Sequence, residues 1–361
     1  MGTLEIFIKN KDVKYKIRIE KGAQKELYEY VAERYGGKKA AVITDNNVNK
    51  LYGASLYKGL IESGVKCRII SIIPGEKSKT LGVLADIYKE LTDFNINKGD
   101  IIIAFGGGVV GDLAGFAAST YLRGVPYIQL PTTLLAQVDS SIGGKTAVDL
   151  PMGKNLVGSF YHPEIVFIDT LYINTLEERY LRDGMAEVIK YGCIKNKRLF
   201  DRLMNYRNLK QCVSDMDELV YSCCSIKKAV VEADERDTGE RLILNFGHTL
   251  GHAVEQYYNY EKYTHGEAVA MGISEITKRS ELLGLTEKGS SAAITEALEK
   301  YGLPFRIPAA DKKELAKAIS LDKKFKGNSI GIVLLSRLGA AFVKEIKGEE
   351  VEDFIWGEVP E

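Results

Sequence analysis

In Asp100-Ile-Ile-Ile-Ala-Phe-Gly-Gly-Gly-Val-Val-Gly-Asp112 a run of apolar residues meets three glycines and resumes as a second apolar segment. The run 100–105 has no polar alternation, as a strand covered on both faces requires. Gly106, Gly108 and Gly111 then follow G-x-G-x-x-G and open a predicted helix over 109–119. Glycine at these positions lets backbone approach a diphosphate lying on the helix N-terminus. A tight turn in a doubly wound sheet satisfies the same pattern. No acidic residue stands about 20 positions further on, where Leu130-Pro-Thr-Thr133 is found, so an ordinary dinucleotide unit is a poor match.

Outward from this turn, strands and helices alternate. Strands are predicted at 3–9, 13–19, 39–44, 65–73, 127–130 and 165–168, and helices at 24–34, 46–62 and 80–93. Beyond about 175 helical periods take over, at 177–191, 215–234, 245–258 and 265–283, before a hairpin over 330–335 and 341–346. At 361 residues the chain is long enough for two cores, and the boundary is set at 172/173. The expected class is α/β: a Rossmann-like parallel-sheet domain over 1–172 and a mostly helical domain over 173–361.

Lys plus Arg and Asp plus Glu each number 49, so no summed field recruits nucleic acid or an anionic membrane. The sequence shows no apolar run of membrane-spanning length, and its N-terminus alternates like a strand rather than a signal peptide. The five cysteines form no C-x-x-C pair, which fits a reducing cytoplasm.

Three of only four histidines fall in Asn245-Phe-Gly-His-Thr-Leu-Gly-His-Ala-Val-Glu255 and Thr264-His-Gly-Glu267. His248 and His252 share one helical face, and His265 begins the next helix. With a carboxylate they could hold zinc, and Glu187, embedded in an apolar helical stretch, is the candidate, because a buried carboxylate needs a metal or a counter-charge. Polar cross-links between helices and a metal-free acid and base pair are the competing readings.

Ser140-Ser-Ile-Gly-Gly-Lys-Thr146 and Gly153-Lys-Asn155 are too polar and glycine-rich for a core and too apolar for a disordered linker. Their backbone donors, beside Lys145 and Asn155, suit a phosphate or carboxylate. Arg123, Lys227, Arg241 and the Lys323-Lys324 pair add positive charge, although any one of them alone reads as a surface charge. A small, multiply anionic substrate is the expected partner.

Together with Pro131-Thr-Thr133, Ala186-Glu-Val-Ile-Lys190 and the histidine stretches, these motifs resemble those of the 3-dehydroquinate synthases, in order from about residue 40 to 345. The resemblance implies an N-terminal half that binds NAD through Asp45, Glu76, Lys79, Gly106, Gly107, Gly108, Val109, Asp112, Thr132, Thr133, Asp139, Ser140, Lys145 and Lys154. It implies Glu187, His248 and His265 as ligands to zinc or cobalt, with His252 a proton-transfer residue on the substrate side. Lys145, Asn155, Lys227, Arg241, Asn245 and Lys323 resemble the family's substrate-binding groups, and Arg123 one that serves a neighbouring subunit in a homodimer. The implied reaction cyclises 3-deoxy-D-arabino-heptulosonate 7-phosphate, with loss of phosphate and no net redox change, in the cytoplasmic shikimate pathway. Its rivals are other sugar phosphate cyclases, which differ in the anion-binding loops, and iron-dependent alcohol dehydrogenases, which release NADH.

Overall fold

The computed structural model describes residues 2–8, 13–237, 239–308, 310–320, 325–326 and 328–358. The chain divides into two compact units, Met1–Glu177 with Lys227–Glu232, and Glu178–Ile226 with Ala233–Glu361.

The first unit is built on a seven-stranded sheet. Its strands are β1 (Gly2–Ile8), β2 (Val13–Ile19), β3 (Lys39–Asp45), β4 (Lys66–Ile72), β5 (Ile101–Gly106), β6 (Tyr127–Pro131) and β9 (Ile165–Ile168), in the order β1-β2-β9-β6-β5-β3-β4. All neighbours are parallel except β1 and β2, which pair antiparallel at the edge. Every residue of β5 is buried. Ile101, Ile103 and Phe105 enter one apolar cluster, and Ile102 and Ala104 the other, so the unbroken apolar run reflects helices on both faces. β4 lies on one side of β3 and β5 on the other. The direction of winding therefore reverses between β3 and β5, placing Asp45 and the glycine turn together at the carboxyl ends, where ligands of open α/β sheets bind.

The stretch 131–160, of which 140–146 and 153–155 read from sequence only as neither core nor linker, includes a short π-helical turn, Ala136–Ser140, and a hairpin of β7 (Lys145–Leu150) and β8 (Gly153–Phe160). Its glycines and paired serines concealed the strand alternation.

The second unit is mostly helical. Glu187 lies on the helix Glu178–Lys195, His248 and His252 on His248–Tyr257, and His265 on His265–Leu282. A three-stranded sheet joins β10 (Phe325–Lys326), β11 (Ser329–Arg337) and β12 (Ala340–Lys347), with β11 and β12 paired antiparallel, as the predicted hairpin requires. Among the described residues no helix is long and apolar enough to cross a membrane.

The two histidine helices touch backbone to backbone. A Cβ at Gly272 would stand 2.1 Å from Gly247 O and 2.9 Å from Gly251 N, so no side chain fits without separating them. Gly82, on the helix Leu81–Asp93, would meet only Thr80 Oγ1 at 3.7 Å. Urea denaturation should separate the two cases: Gly272→Ala loses about 1–3 kcal/mol through overpacking, whereas Gly82→Ala gains about 0.4–1 kcal/mol by restricting the unfolded chain.

Candidate metal centre and nucleotide site

Three consecutive contacts set the helix Glu178–Lys195 against the first turn of the helix His265–Leu282. Arg179, Asp183 and Glu187 are four residues apart and so lie on one face. Arg179 donates to both carboxylate oxygens of Glu267, at 2.9 and 2.8 Å, and Asp183 accepts from the Gly266 amide at 2.5 Å. Glu187 Oε1 then lies 3.8 Å from His265 Nε2. Thr264 caps this helix in a reciprocal box with Glu267. Burial raises the Asp183 carboxyl above its usual range, against Thr264, His265 and the Gly266 amide, which lower it.

His248 is the first residue of its helix, as His265 is of its own, and follows Gly247 in the left-handed region (φ 78°). Its Nε2 lies 3.6 Å from the same Glu187 Oε1, and its Nδ1 lies 3.1 Å from Phe246 O. Glu187, His248 and His265 thus each offer one ligand atom, all within 4.8 Å of one another. One carboxylate and two imidazoles form a set that suits zinc or a similar divalent ion and leaves a coordination position open. Glu187 is fully buried and also pairs with Lys190, three residues on and itself 1% exposed. The counter-charge and the candidate ligand group, alternatives in the sequence, therefore meet at one carboxylate.

His252 projects from the His248 helix with its ring 5.5 Å from that of His248 and 6.0 Å from that of His265. Glu255, which the sequence reading passed over, is 3% exposed and places Oε2 3.4 Å from His265 Nδ1. Its place three residues after His252 was the available signal. Burial pulls the His265 pKa down, but Glu255, then Glu187 and Asp183, outweigh it and carry the imidazole up to about 9. In the same unit Arg241 is buried, its Nη1 donating to Glu235 O at 2.5 Å and its amide to Asp234 Oδ2 at 3.1 Å. Asn245 ends the 3₁₀ turn Glu240–Asn245, directly before Phe246. Lys323 and Lys324 lie outside the described residues.

In the first unit the glycine turn packs on the residues expected beside it. A Cβ at Gly107 would stand 3.0 Å from Thr133 Cγ2, and one at Gly108 3.1 Å from Ser140 Oγ. The helix Gly108–Thr120 starts with no side-chain cap, leaving amides for an anion. Thr132 donates its amide to Gly106 O at 2.9 Å, and Val109 packs beside the core below. Asp45 caps the next turn of chain, accepting from the amides of Asn47 and Val48. Lys79 is buried with Asp112 at 2.5 Å and Glu76 at 4.0 Å, and it donates to Asn155. Burial pulls Lys79 down, yet Asp112 and Glu76 hold its pKa above the usual value; burial also raises Asp112 against the lowering effect of Lys79. Lys154 pairs with Glu76 at 3.5 Å, and Lys227 donates to the Asp139 carbonyl and carboxylate at 2.6 and 2.8 Å. Lys145 is exposed at the start of β7, and exposed Arg123 has positive φ (65°), like Leu122 before it (50°). Much of the positive charge gathered by these loops is thus matched within the chain.

Models of the 3-dehydroquinate synthase N-terminal and C-terminal regions match residues 69–183 and 184–325. The chain is 51% identical to a 3-dehydroquinate synthase of Clostridium kluyveri, over 99% of both chains. Among solved structures, 2-deoxy-scyllo-inosose synthase complexed with carbaglucose-6-phosphate, NAD+ and Co2+ superposes with a TM-score of 0.86 at 26% identity, covering 98% of this chain and 99% of that one. A 2-epi-5-epi-valiolone synthase from Streptomyces hygroscopicus with NAD+ and Zn2+ bound gives 0.86 at 23%, over 95% and 96%, a likeness of fold. The chain belongs to the 3-dehydroquinate synthase family.

Two outcomes follow from the Glu187 cluster. Glu187→Gln should weaken zinc binding and cost about 3–5 kcal/mol in stability, because Lys190 is left buried and unmatched; adding Lys190→Met should restore the denaturation midpoint but not zinc affinity. Zinc must also displace a proton from His265, so below pH about 9 the apparent affinity should fall as pH falls. Calorimetry near pH 7.5 in buffers of different ionisation enthalpy should record proton release on binding.

Proposed function

We propose that this chain converts 3-deoxy-D-arabino-heptulosonate 7-phosphate to 3-dehydroquinate and inorganic phosphate, using NAD and a divalent ion, zinc or cobalt. The observation that carries the reading is the convergence of Glu187, His248 and His265 within the second unit of a chain of this family; an uncapped glycine turn at the winding reversal of the first unit's sheet supports it. Glu187 Oε1, His248 Nε2 and His265 Nε2 would hold the ion, and the turn 106–108, with Thr133 and Ser140 behind it, would hold the NAD diphosphate. The chemistry these groups would supply when bound is polarisation of a substrate hydroxyl by the ion and reversible hydride acceptance by the nicotinamide.

The chain's own residues bind, orient and manage protons. By the family resemblance Lys145, Asn155, Lys227, Arg241, Asn245 and Lys323 are assigned to the substrate's carboxylate and phosphate. Arg241 is braced by Glu235 and Asp234, which fix its direction before substrate arrives. His252 is assigned a proton-transfer role beside the ligand histidines. Over one turnover a carbon–oxygen bond to phosphate breaks, a ring carbon–carbon bond forms, and no net oxidation occurs. Rate enhancement then rests chiefly on orienting one substrate. A cytoplasmic homodimer, with Arg123 serving the neighbouring subunit, belongs to the same reading; the exposed, left-handed backbone at Leu122 and Arg123 supports a special role for that turn.

Protein loaded with zinc and a small amount of NAD should release phosphate from this substrate in molar excess over NAD, form 3-dehydroquinate and accumulate no NADH. Phosphate release only from glucose 6-phosphate or sedoheptulose 7-phosphate would make it a different cyclase, and steady NADH formation on a simple alcohol would make it a dehydrogenase.

A further inference from the structure

The two histidines that turn Nε2 toward Glu187 Oε1 differ in what meets the other ring nitrogen. For His248 it is a backbone carbonyl, Phe246 O at 3.1 Å; for His265 it is a carboxylate, Glu255 Oε2 at 3.4 Å. An acceptor at Nδ1 selects the tautomer that leaves the Nε2 lone pair for an ion, and it limits rotation of the ring. A carbonyl supplies a dipole, whereas a carboxylate supplies a full charge and makes the imidazole a stronger donor. Glu255 is 3% exposed and follows Ala253 and Val254, both buried, on the helix that also carries His248 and His252. A carboxylate at such a place is costly to bury without a charged or hydrogen-bonded neighbour.

The same side chain admits a second use. His252, Glu255 and His265 also offer one ligand atom each within 4.8 Å, so Glu255 could itself ligate an ion through this second group. Beside an ion already held by Glu187, His248 and His265 Nε2, that use requires His265 to surrender both ring protons and bridge two ions. Imidazole loses its second proton only far above neutral pH, which favours the first use.

We infer that Glu255 is a positioning residue for the metal centre: its carboxylate accepts the Nδ1 proton of His265 and holds Nε2 toward Glu187 Oε1. The inference rests on the metal reading proposed above. It distinguishes Glu255, which acts through His265, from the three residues that would touch the ion.

The test uses the full chain stripped of metal, as wild type, Glu255→Gln and Glu255→Ala, titrated with cobalt(II) against a competing chelator and followed by visible absorption. Wild type should bind one equivalent. Glu255→Ala should bind one equivalent about 10- to 100-fold more weakly. Glu255→Gln, whose amide oxygen can still accept from Nδ1 but carries no charge, should fall between the two with a displaced absorption band. NAD affinity, read on the other unit, should be unchanged in both variants. Wild-type affinity and spectrum in Glu255→Gln would overturn the inference, and this isosteric variant decides the matter if Glu255→Ala does not fold. Two equivalents in wild type and one in the variants would also overturn it, making Glu255 a ligand. No cobalt bound by wild type would overturn the metal reading and this inference together, a result separable from the others because no variant is then needed to see it.

Discussion

Burying the Glu187 carboxylate is the constraint on which the second unit depends. A carboxylate with no exposed surface is stable only when matched, and here Lys190 and the two imidazole Nε2 atoms surround it. The match demands register among three helices. Arg179 and Asp183, two turns and one turn before Glu187, engage Glu267 and Gly266, so the helix Glu178–Lys195 is already aligned where Glu187 meets His265. Glu267 takes part in both the cap and the ion pair: burial raises its pKa, but Arg179 and the Thr264 amide outweigh that and hold it below the usual carboxylate range.

Close approach supplies the remaining distance. Gly272 lies against Gly247 O, and a Cβ at Gly251 would stand 3.1 Å from Val269 N. Helices bearing larger residues at these positions would stand further apart, and His248 and His265 could not share one carboxylate oxygen. Small residues along the helix interface and ligands at the helix starts are therefore parts of one design.

The first unit meets a different demand, that of holding cations near one another without substrate. Lys79 is matched by Asp112, Lys154 by Glu76 and Lys227 by Asp139. This matching is consistent with a net charge of zero in a chain read as binding a multiply anionic molecule, and it keeps basic loops from repelling one another.

The sequence by itself determined the alternation of strands and helices, the doubly covered strand 100–105, the glycine turn after it, the shared face of His248 and His252, and the anomaly of Glu187. All are local properties: periodicity, a glycine pattern, a charge in an apolar run. The hairpin of β7 and β8 was not legible, because glycine, lysine, asparagine and aspartate interrupt its strand-favouring residues and its pairing, Lys145 to Phe160 and Thr146 to Ser159, is a relation between separate stretches. Nor were Glu255 and Lys190 assigned, since each is defined by what it faces. Only tertiary structure decided that Glu187 has both a lysine and two imidazoles, that Glu255 stands behind His265, and that Lys79 belongs to Asp112, 33 positions away. Such contacts depend on helix register and strand order, which follow from packing of the whole chain and are not encoded in any short stretch of it.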